Sequence, residues 1–285
     1  VGGAILNLTA NSGIVIANVG GPVRNDSYIF NNSLDNQDSV TDVGGTDTLT
    51  ATLDNLDATS TGQLHIAGVE TFTFTQTAAD TIVGGASIDA QFITGATSVT
   101  ASGGVVGKAL TINNLAAATV TGTGVFLGDL VLNLTDGVNY TVTGGAGSDT
   151  IISGNGDDIV TISAGNDKIA TGDGSDIIIT GLTLNNLDTV DGGAGTDTLT
   201  YADSALASDD LLNVSNMETI TLTNTTVNAA ETTVDGLVAA GAVLTINASS
   251  LTTGTLTWNG SAETDGAFSV IGGLGGYLLA QASMK

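Results

Sequence analysis

The sequence predicts an all-β fold, a parallel β-roll or β-helix of stacked short strands with few short helices, on three observations. From Gly144 to Thr200 the chain can be cut into nine-residue units that keep one Asp and one aliphatic residue in fixed places. The composition offers Val, Ile, Leu and Ala, 40 glycines and only 4% aromatics, which suits short stacked strands better than a globular enzyme with a deep pocket. Elsewhere, runs such as KALTINNL, DLVLNL and AVLTINAS recur at intervals that suit a stacked β-helix or a sandwich.

The units GGAGSDTII, SGNGDDIVT, ISAGNDKIA and TGDGSDIII place Asp149, Asp158, Asp167 and Asp176 sixth, with Ile151, Val160, Ile169 and Ile178 eighth. Thr180 to Leu182 interrupt the count. TLNNLDTVD and GGAGTDTLT then resume it with Asp188 and Asp197, followed by Val190 and Leu199. A period of nine suits a coil with one tight turn and one very short strand per unit. Glycines at the second position (Gly145, Gly154, Gly172, Gly193) and the fourth (Gly147, Gly156, Gly165, Gly174, Gly195) allow positive φ and close backbone approach. The aliphatic residue points inward from its strand. Successive strands run on opposite sides of the coil, so Asp149 is expected to face Asp167, and Asp158 to face Asp176. Stacked carboxylates repel one another. A hard dication between them, with turn carbonyls completing six or more oxygen ligands, removes the repulsion, and Ca²⁺ prefers such a ligand set.

These residues resemble the calcium-binding nonapeptide G-G-x-G-x-D-x-U-x of the RTX (repeats-in-toxin) family of secreted Gram-negative proteins. The resemblance implies a β-roll with Ca²⁺ held between turns by the six Asp side chains and by backbone carbonyls of the turn glycines. It also implies type I secretion with an uncleaved C-terminal signal. Ser153, Ile162 and Thr171 replace the first Gly, and Ser163 replaces the second Gly in the third unit. The unit Thr183 to Asp191 has no Gly, so the pair Asp167 and Asp188 departs furthest from the pattern.

A formal charge of −25, from 4 basic and 29 acidic residues, argues against nucleic acid or an anionic membrane as partner and for cations. Cysteine is absent, so neither disulfides nor thiolate metal sites stabilise the fold. A calcium-built roll makes sense outside the cell, where free Ca²⁺ matches sites of the extracellular affinity class. The chain begins with Val1 and shows no leader pattern, as expected of a processed or partial piece of something longer.

Taken in order, ILNLTA and GIVIANV read as strands, and Pro22 marks a turn. DSVTDVGGTDTLT (Asp38 to Thr50) anticipates DTVDGGAGTDTLT (Asp188 to Thr200), with Asp47 matching Asp197. GVETFTFTQT (Gly68 to Thr77) corresponds to NMETITLTNT (Asn216 to Thr225), with Glu70 and Glu218 in the same place, and DGVNYTVTGGAG is echoed by DGAFSVIGGLG. These correspondences read as a duplicated module, divided as residues 1–134 (β-rich), 135–200 (calcium roll) and 201–285 (second copy). The second copy ends in GGLGGYLLA, where Tyr277 occupies the Asp position. Ser204 to Leu212 is the best helix candidate. The uncharged run Ala267 to Met284 carries four glycines and is read as a buried strand or subunit contact rather than a membrane span.

Little catalytic apparatus is present: one His, no Cys, and no HExxH, GxSxG or Walker-type motif, so no enzymatic activity is expected. His65 reads as an ordinary partly exposed side chain. The TxT stretches at Thr71, Thr73 and Thr75, at Thr219, Thr221 and Thr223, and at Thr255 and Thr257 line one face of their strands. That face is either hydrated surface or a flat array for ice or crystalline polysaccharide, and short, interrupted arrays favour hydrated surface. The acidic Thr/Gly/Ala-rich composition and the phrase (V/M)-E-T-x-T-x-T resemble RTX-type bacterial surface-layer proteins and large RTX adhesins. The resemblance implies calcium-dependent self-assembly into a lattice or filament, with cell-surface polysaccharide as a further partner. Open terminal coils are expected to invite head-to-tail contacts.

Overall fold

A computed structural model describes residues 4–8, 14–17, 24–31, 34, 38–53, 64–77, 85–122, 126–202, 209–223 and 229–281. Contacts divide the chain into two compact units, Val1–Ser153 and Gly154–Lys285. Both are all-β and built from parallel ladders, so each is a β-solenoid, and the parallel pairing decides against the antiparallel sandwich that the strand letters alone had left open.

In the first unit one ladder runs through Ile5–Leu8, Ser27–Phe30, Thr48–Thr52, Thr71–Gln76, Ser98–Gly103, Thr119–Gly122 and Thr141–Thr143. Strict alternation along these strands turns every second residue inward. Tyr28, Leu49, Phe72, Val99, Val120 and Val142 stack in register as one buried file. The next inward file alternates large with small through Phe30, Ala51, Phe74 and Ala101 before reaching Gly122, so each ring has room over a small neighbour. Every fully buried Phe or Leu here contributes roughly 1.5–3 kcal/mol relative to exposure. Two further ladders close the coil: Val15–Ala17, Ser39–Thr41, His65–Ala67 and Ile93–Thr94, then Gly85–Asp89, Ala109–Leu115, Asp129–Leu134 and Thr150–Ile152.

The second unit repeats the plan. Ile159–Thr161, Ile177–Gly181, Thr198–Tyr201, Thr219–Leu222, Val243–Ala248 and Ala267–Gly272 form its long ladder, with Val160, Ile178, Leu199, Ile220 and Ile246 stacked inside. Lys168–Ala170, Thr189–Asp191 and Val214–Ser215 form a second ladder, and Ala229–Thr232, Thr255–Gly260 and Gly276–Gln281 a third. Nonapeptides two units apart pair and adjacent ones do not, as the nine-residue period predicts. The inward aliphatics at position eight, Val160, Ile169, Ile178, Val190 and Leu199, are all at most 1% exposed.

Helix is nearly absent among the described residues, where the 3-10 turn Asp235–Leu237 is the one helical element. Of the stretch expected to be helical, residues 210–213 form a turn; residues 204–208, like Pro22, lie outside the described residues. The run read as a buried strand or subunit contact forms the strands Ala267–Gly272 and Gly276–Gln281, and it is not buried within the unit: Leu274 is 88% and Leu278 64% exposed.

Candidate metal centre

Each nonapeptide turn delivers its Asp side chain under the coil rather than into solvent. Asp149, Asp158, Asp167, Asp176, Asp188 and Asp197 are all at most 2% exposed. What holds them there is a backbone bond that sequence periodicity does not reveal. The N–H of Asp158 donates to Asp176 Oδ1 at 2.7 Å, 18 residues on. Asp176 N–H donates to Asp197 Oδ1 at 2.8 Å, and Asp197 N–H to Glu218 Oε2 at 2.6 Å, each 21 residues on. The carboxylates thus form a file in which each accepts the amide of its counterpart one coil earlier. The three-residue interruption at Thr180 to Leu182 accounts for the 21 residues between Asp176 and Asp197.

On the other side Asp167 N–H donates to Asp188 Oδ1 at 2.7 Å, so this pair joins despite its missing glycines. Its chemistry differs. Asp188 Oδ2 accepts from the N–H and the side-chain amide of Asn185, at 2.9 and 3.0 Å. By contrast, Asp176 Oδ2 and Asp197 Oδ2 are buried with no hydrogen-bond partner among the described residues. Asp149 belongs to the first unit, where its Oδ1 accepts Leu130 N–H at 2.8 Å.

The glycines explain how close the turns come. Gly193 and Gly195 have φ of 88° and 147°, values L side chains avoid. A Cβ on Gly195 would lie 1.6 Å from Gly174 O, and one on Gly193 would lie 2.0 Å from Gly172 O. Gly172 O and Gly174 O accept the N–H groups of Ala194 and Thr196, so the turn carbonyls line up along the stack. Gly154, Gly156, Gly165, Gly172 and Gly174 share the positive φ, while Gly145 and Gly147 do not. Those two are excluded from substitution by contact instead, since their Cβ atoms would meet Phe126 O and Gly128 O at 2.7 and 2.1 Å. The first position makes this demand only in some units: Ser153, Ile162 and Thr171 stand there, all buried, whereas a Cβ on Gly192 would lie 2.3 Å from Asn216 O.

Burial without a counter-ion resists ionisation. It pushes Asp149 and Asp197 from 3.8 up to about 6 and raises Asp176 as well. For Asp197 the amide of Asp176 pulls the other way, while the charges of Asp176, Glu218 and Asp191 add to the rise. The ligand atoms are all hard oxygens, and Asp176 Oδ2 and Asp197 Oδ2 have no hydrogen-bond partner among the described residues, so the residues fit Ca²⁺.

Two parts of this pattern lay outside the nonapeptide reading. Glu218 continues the file beyond Asp197, and the first unit carries a second file: Ala4 N–H to Asp26 Oδ1, Asp26 N–H to Asp47 Oδ1, and Asp47 N–H to Glu70 Oε2, at 2.5, 2.6 and 2.7 Å. The duplicated landmarks Asp47/Asp197 and Glu70/Glu218 were the signal, because both pairs do the same work in their own units. His65, the one histidine, is exposed and stacks on Phe92 with ring centroids 4.6 Å apart.

Among family models, that of the RTX calcium-binding nonapeptide repeat (4 copies) matches residues 141–161, 163–182 and 187–202. No curated protein and no solved structure matches the chain significantly. RTX repeats are typical of secreted proteins, and no helix among the described residues is long and apolar enough to cross a membrane. The carboxylate-lined coils at 141–202 are therefore the part of the chain that matches the RTX calcium-binding nonapeptide repeat.

Proposed function

We propose that this protein is a calcium-folded structural scaffold of the bacterial cell surface that self-assembles into a lattice or filament and does no catalysis. The observation that carries the reading is the file Asp158, Asp176 and Asp197, with buried Oδ2 atoms on Asp176 and Asp197 that have no hydrogen-bond partner among the described residues. Asp158, Asp176 and Asp197, with the carbonyls of their turn glycines, would hold the ions. Bound calcium supplies the charge that lets these carboxylates stay ionised inside the coil. The chain's own residues do the rest: the amide ladder aims each carboxylate, the glycines let turns approach, and the aliphatic file excludes water.

Assembly is supported by the coil Ala267–Gln281, which leaves Ile271, Leu274, Leu278 and Leu279 exposed. Apolar groups exposed together on one coil favour contact with another surface, and at −25 per chain such contact between copies needs a cation to lower the repulsion. Export by a type I system, to a surface rich in polysaccharide, accords with the RTX repeats. Electron microscopy and light scattering of the purified chain test the reading. Ordered polymers should grow on adding millimolar Ca²⁺ alone and should be blocked by Tyr277→Asp combined with Leu279→Lys. A chain that stays monomeric in calcium at high concentration contradicts it.

A second reading, an adhesin segment for ice or crystalline polysaccharide, is favoured by one observation. The TxT stretches are short in sequence, but the parallel register stacks them into columns: Thr48, Thr71, Ser98, Thr119 and Thr141 in one, Thr50, Thr73, Thr100, Thr121 and Thr143 in the next. Strand spacing sets the columns' repeat at about 4.8 Å, so the hydroxyls recur at a regular interval. Co-sedimentation of monomeric protein with insoluble polysaccharide, and partition into growing ice, separate this reading from the first.

A further inference from the structure

The first unit gathers three carboxylates well before the nonapeptide match begins at residue 141. Asp26 and Asp47 each lead into a strand of the long ladder, and Asp42 follows the strand Ser39–Thr41 on the neighbouring face. One oxygen from each of the three lies within 4.8 Å of the others. All are buried, at 2%, 5% and 0% exposure for Asp26, Asp42 and Asp47.

Their hydrogen bonds leave the cluster incomplete. Asp26 and Asp47 use Oδ1 for the amides of Ala4 and Asp26, and the Oδ2 of each is buried with no hydrogen-bond partner among the described residues. Asp42 is held in place, its Oδ1 accepting Val43 N–H at 2.6 Å and its Oδ2 accepting the Tyr28 hydroxyl at 2.5 Å. Burial first, then the hydrogen bond to Asp42 and the charges of Asp42, Asp26 and Asp47, raises the Tyr28 phenol, so it stays a donor. Three like charges this close and this buried are strongly unfavourable unless neutralised. A shared proton removes one charge and leaves two. A dication removes two and also engages the Oδ2 atoms that have no hydrogen-bond partner among the described residues. Carboxylates without nitrogen or sulfur ligands select a hard ion, and Ca²⁺ accepts irregular oxygen sets more readily than Mg²⁺.

We propose that Asp26, Asp42 and Asp47 form a calcium site outside the nonapeptide repeats, which ties successive coils of the first unit together at the corner between two ladders. The site does not depend on the surface-assembly reading. It gives the non-RTX part of the chain its own response to calcium.

Ion counting on the full chain tests it. At saturating Ca²⁺, equilibrium dialysis with atomic emission should find one ion fewer in Asp42→Asn and in Asp47→Asn than in the parent. Combining the two should again remove one ion, whereas adding Asp176→Asn should remove a further ion. Asn keeps Oδ1 for the amide ladder, so these variants lose charge and not the backbone bond. An unchanged count in the single variants overturns the proposal and leaves a proton-sharing cluster in its place. Where a variant does not fold, Tb³⁺ serves as a second probe, because Tyr28 touches the site. Tyr28→Phe retains all three carboxylates and should lower tyrosine-sensitised Tb³⁺ emission, and emission equal to that of the parent overturns the site.

Discussion

The two sides of the nonapeptide roll in the second unit use the same backbone bond and differ in the other half of the carboxylate. Asp176 and Asp197 give Oδ1 to an amide one coil earlier and keep a buried Oδ2 with no hydrogen-bond partner among the described residues. Asp188 gives Oδ1 to the amide of Asp167 in the same way, but Asn185 fills its Oδ2 with two donors. Position six of the nonapeptide therefore carries two separable tasks. One oxygen sets the stacking register and the other is available to a cation. A unit can lose its glycines and its place for an ion, as Thr183 to Asp191 has, and still stack.

Removing calcium should produce the largest effect and should strike the file of Asp176 and Asp197. Free Ca²⁺ at one hundred times the dissociation constant adds about 2.7 kcal/mol per independent site. Circular dichroism of the metal-free chain should show lost β signal and a lower melting temperature. An unchanged melt would mean that the file stands without an ion.

Acid should reverse the sign of that difference. Burial lifts Asp149 and Asp197 from 3.8 to about 6, so in metal-free buffer the folded chain holds protons that the unfolded chain releases. Stability should then be greatest below pH 4 and fall as pH rises through 6, by up to about 3 kcal/mol per group. With calcium bound the carboxylates are held ionised, so stability should instead be lost as pH falls. Melting temperatures from pH 4 to 7, with and without calcium, should therefore slope in opposite directions, and parallel slopes contradict the account.

Single carboxylates sharpen the comparison further. Asp197→Asn should remove a bound ion by calorimetric titration, at a cost of about 2.7 kcal/mol under the same calcium excess. Asp188→Asn should leave the ion count unchanged while costing about 1–3 kcal/mol, because the new amide meets the donors of Asn185. Asp158→Ala and Asp176→Ala should not add, since both act on one contact. At the small end, Thr73→Val on the outward face should change stability by no more than about 0.5 kcal/mol.

Much of this was legible in the letters. A nine-residue period with Asp at six and an aliphatic at eight implies opposed strands and an 18-residue coil, and Asp158 does meet Asp176 at that separation. The duplicated landmarks located Glu70 and Glu218 without revealing that each ends a file. The approach of Asp42 to Asp26 and Asp47 was not legible, because it depends on how one coil turns its corner and not on spacing along a strand. The Thr columns were hidden for a related reason. Coil lengths in that ladder vary from 21 residues at Asp26 to 27 at Glu70, so only the folded register reveals that Thr50, Thr73 and Thr100 line up.

The amides that build the file report on the central claim most directly. Hydrogen exchange at Asp158, Asp176 and Asp197, measured by NMR on the full chain, reads each ladder bond in turn. If calcium on the free oxygens is what keeps the carboxylates ionised and the coils stacked, all three amides should be strongly protected in calcium and exchange rapidly once it is removed. Equal protection in both conditions would show that the file is held by its backbone bonds alone, and that calcium is not what folds this roll.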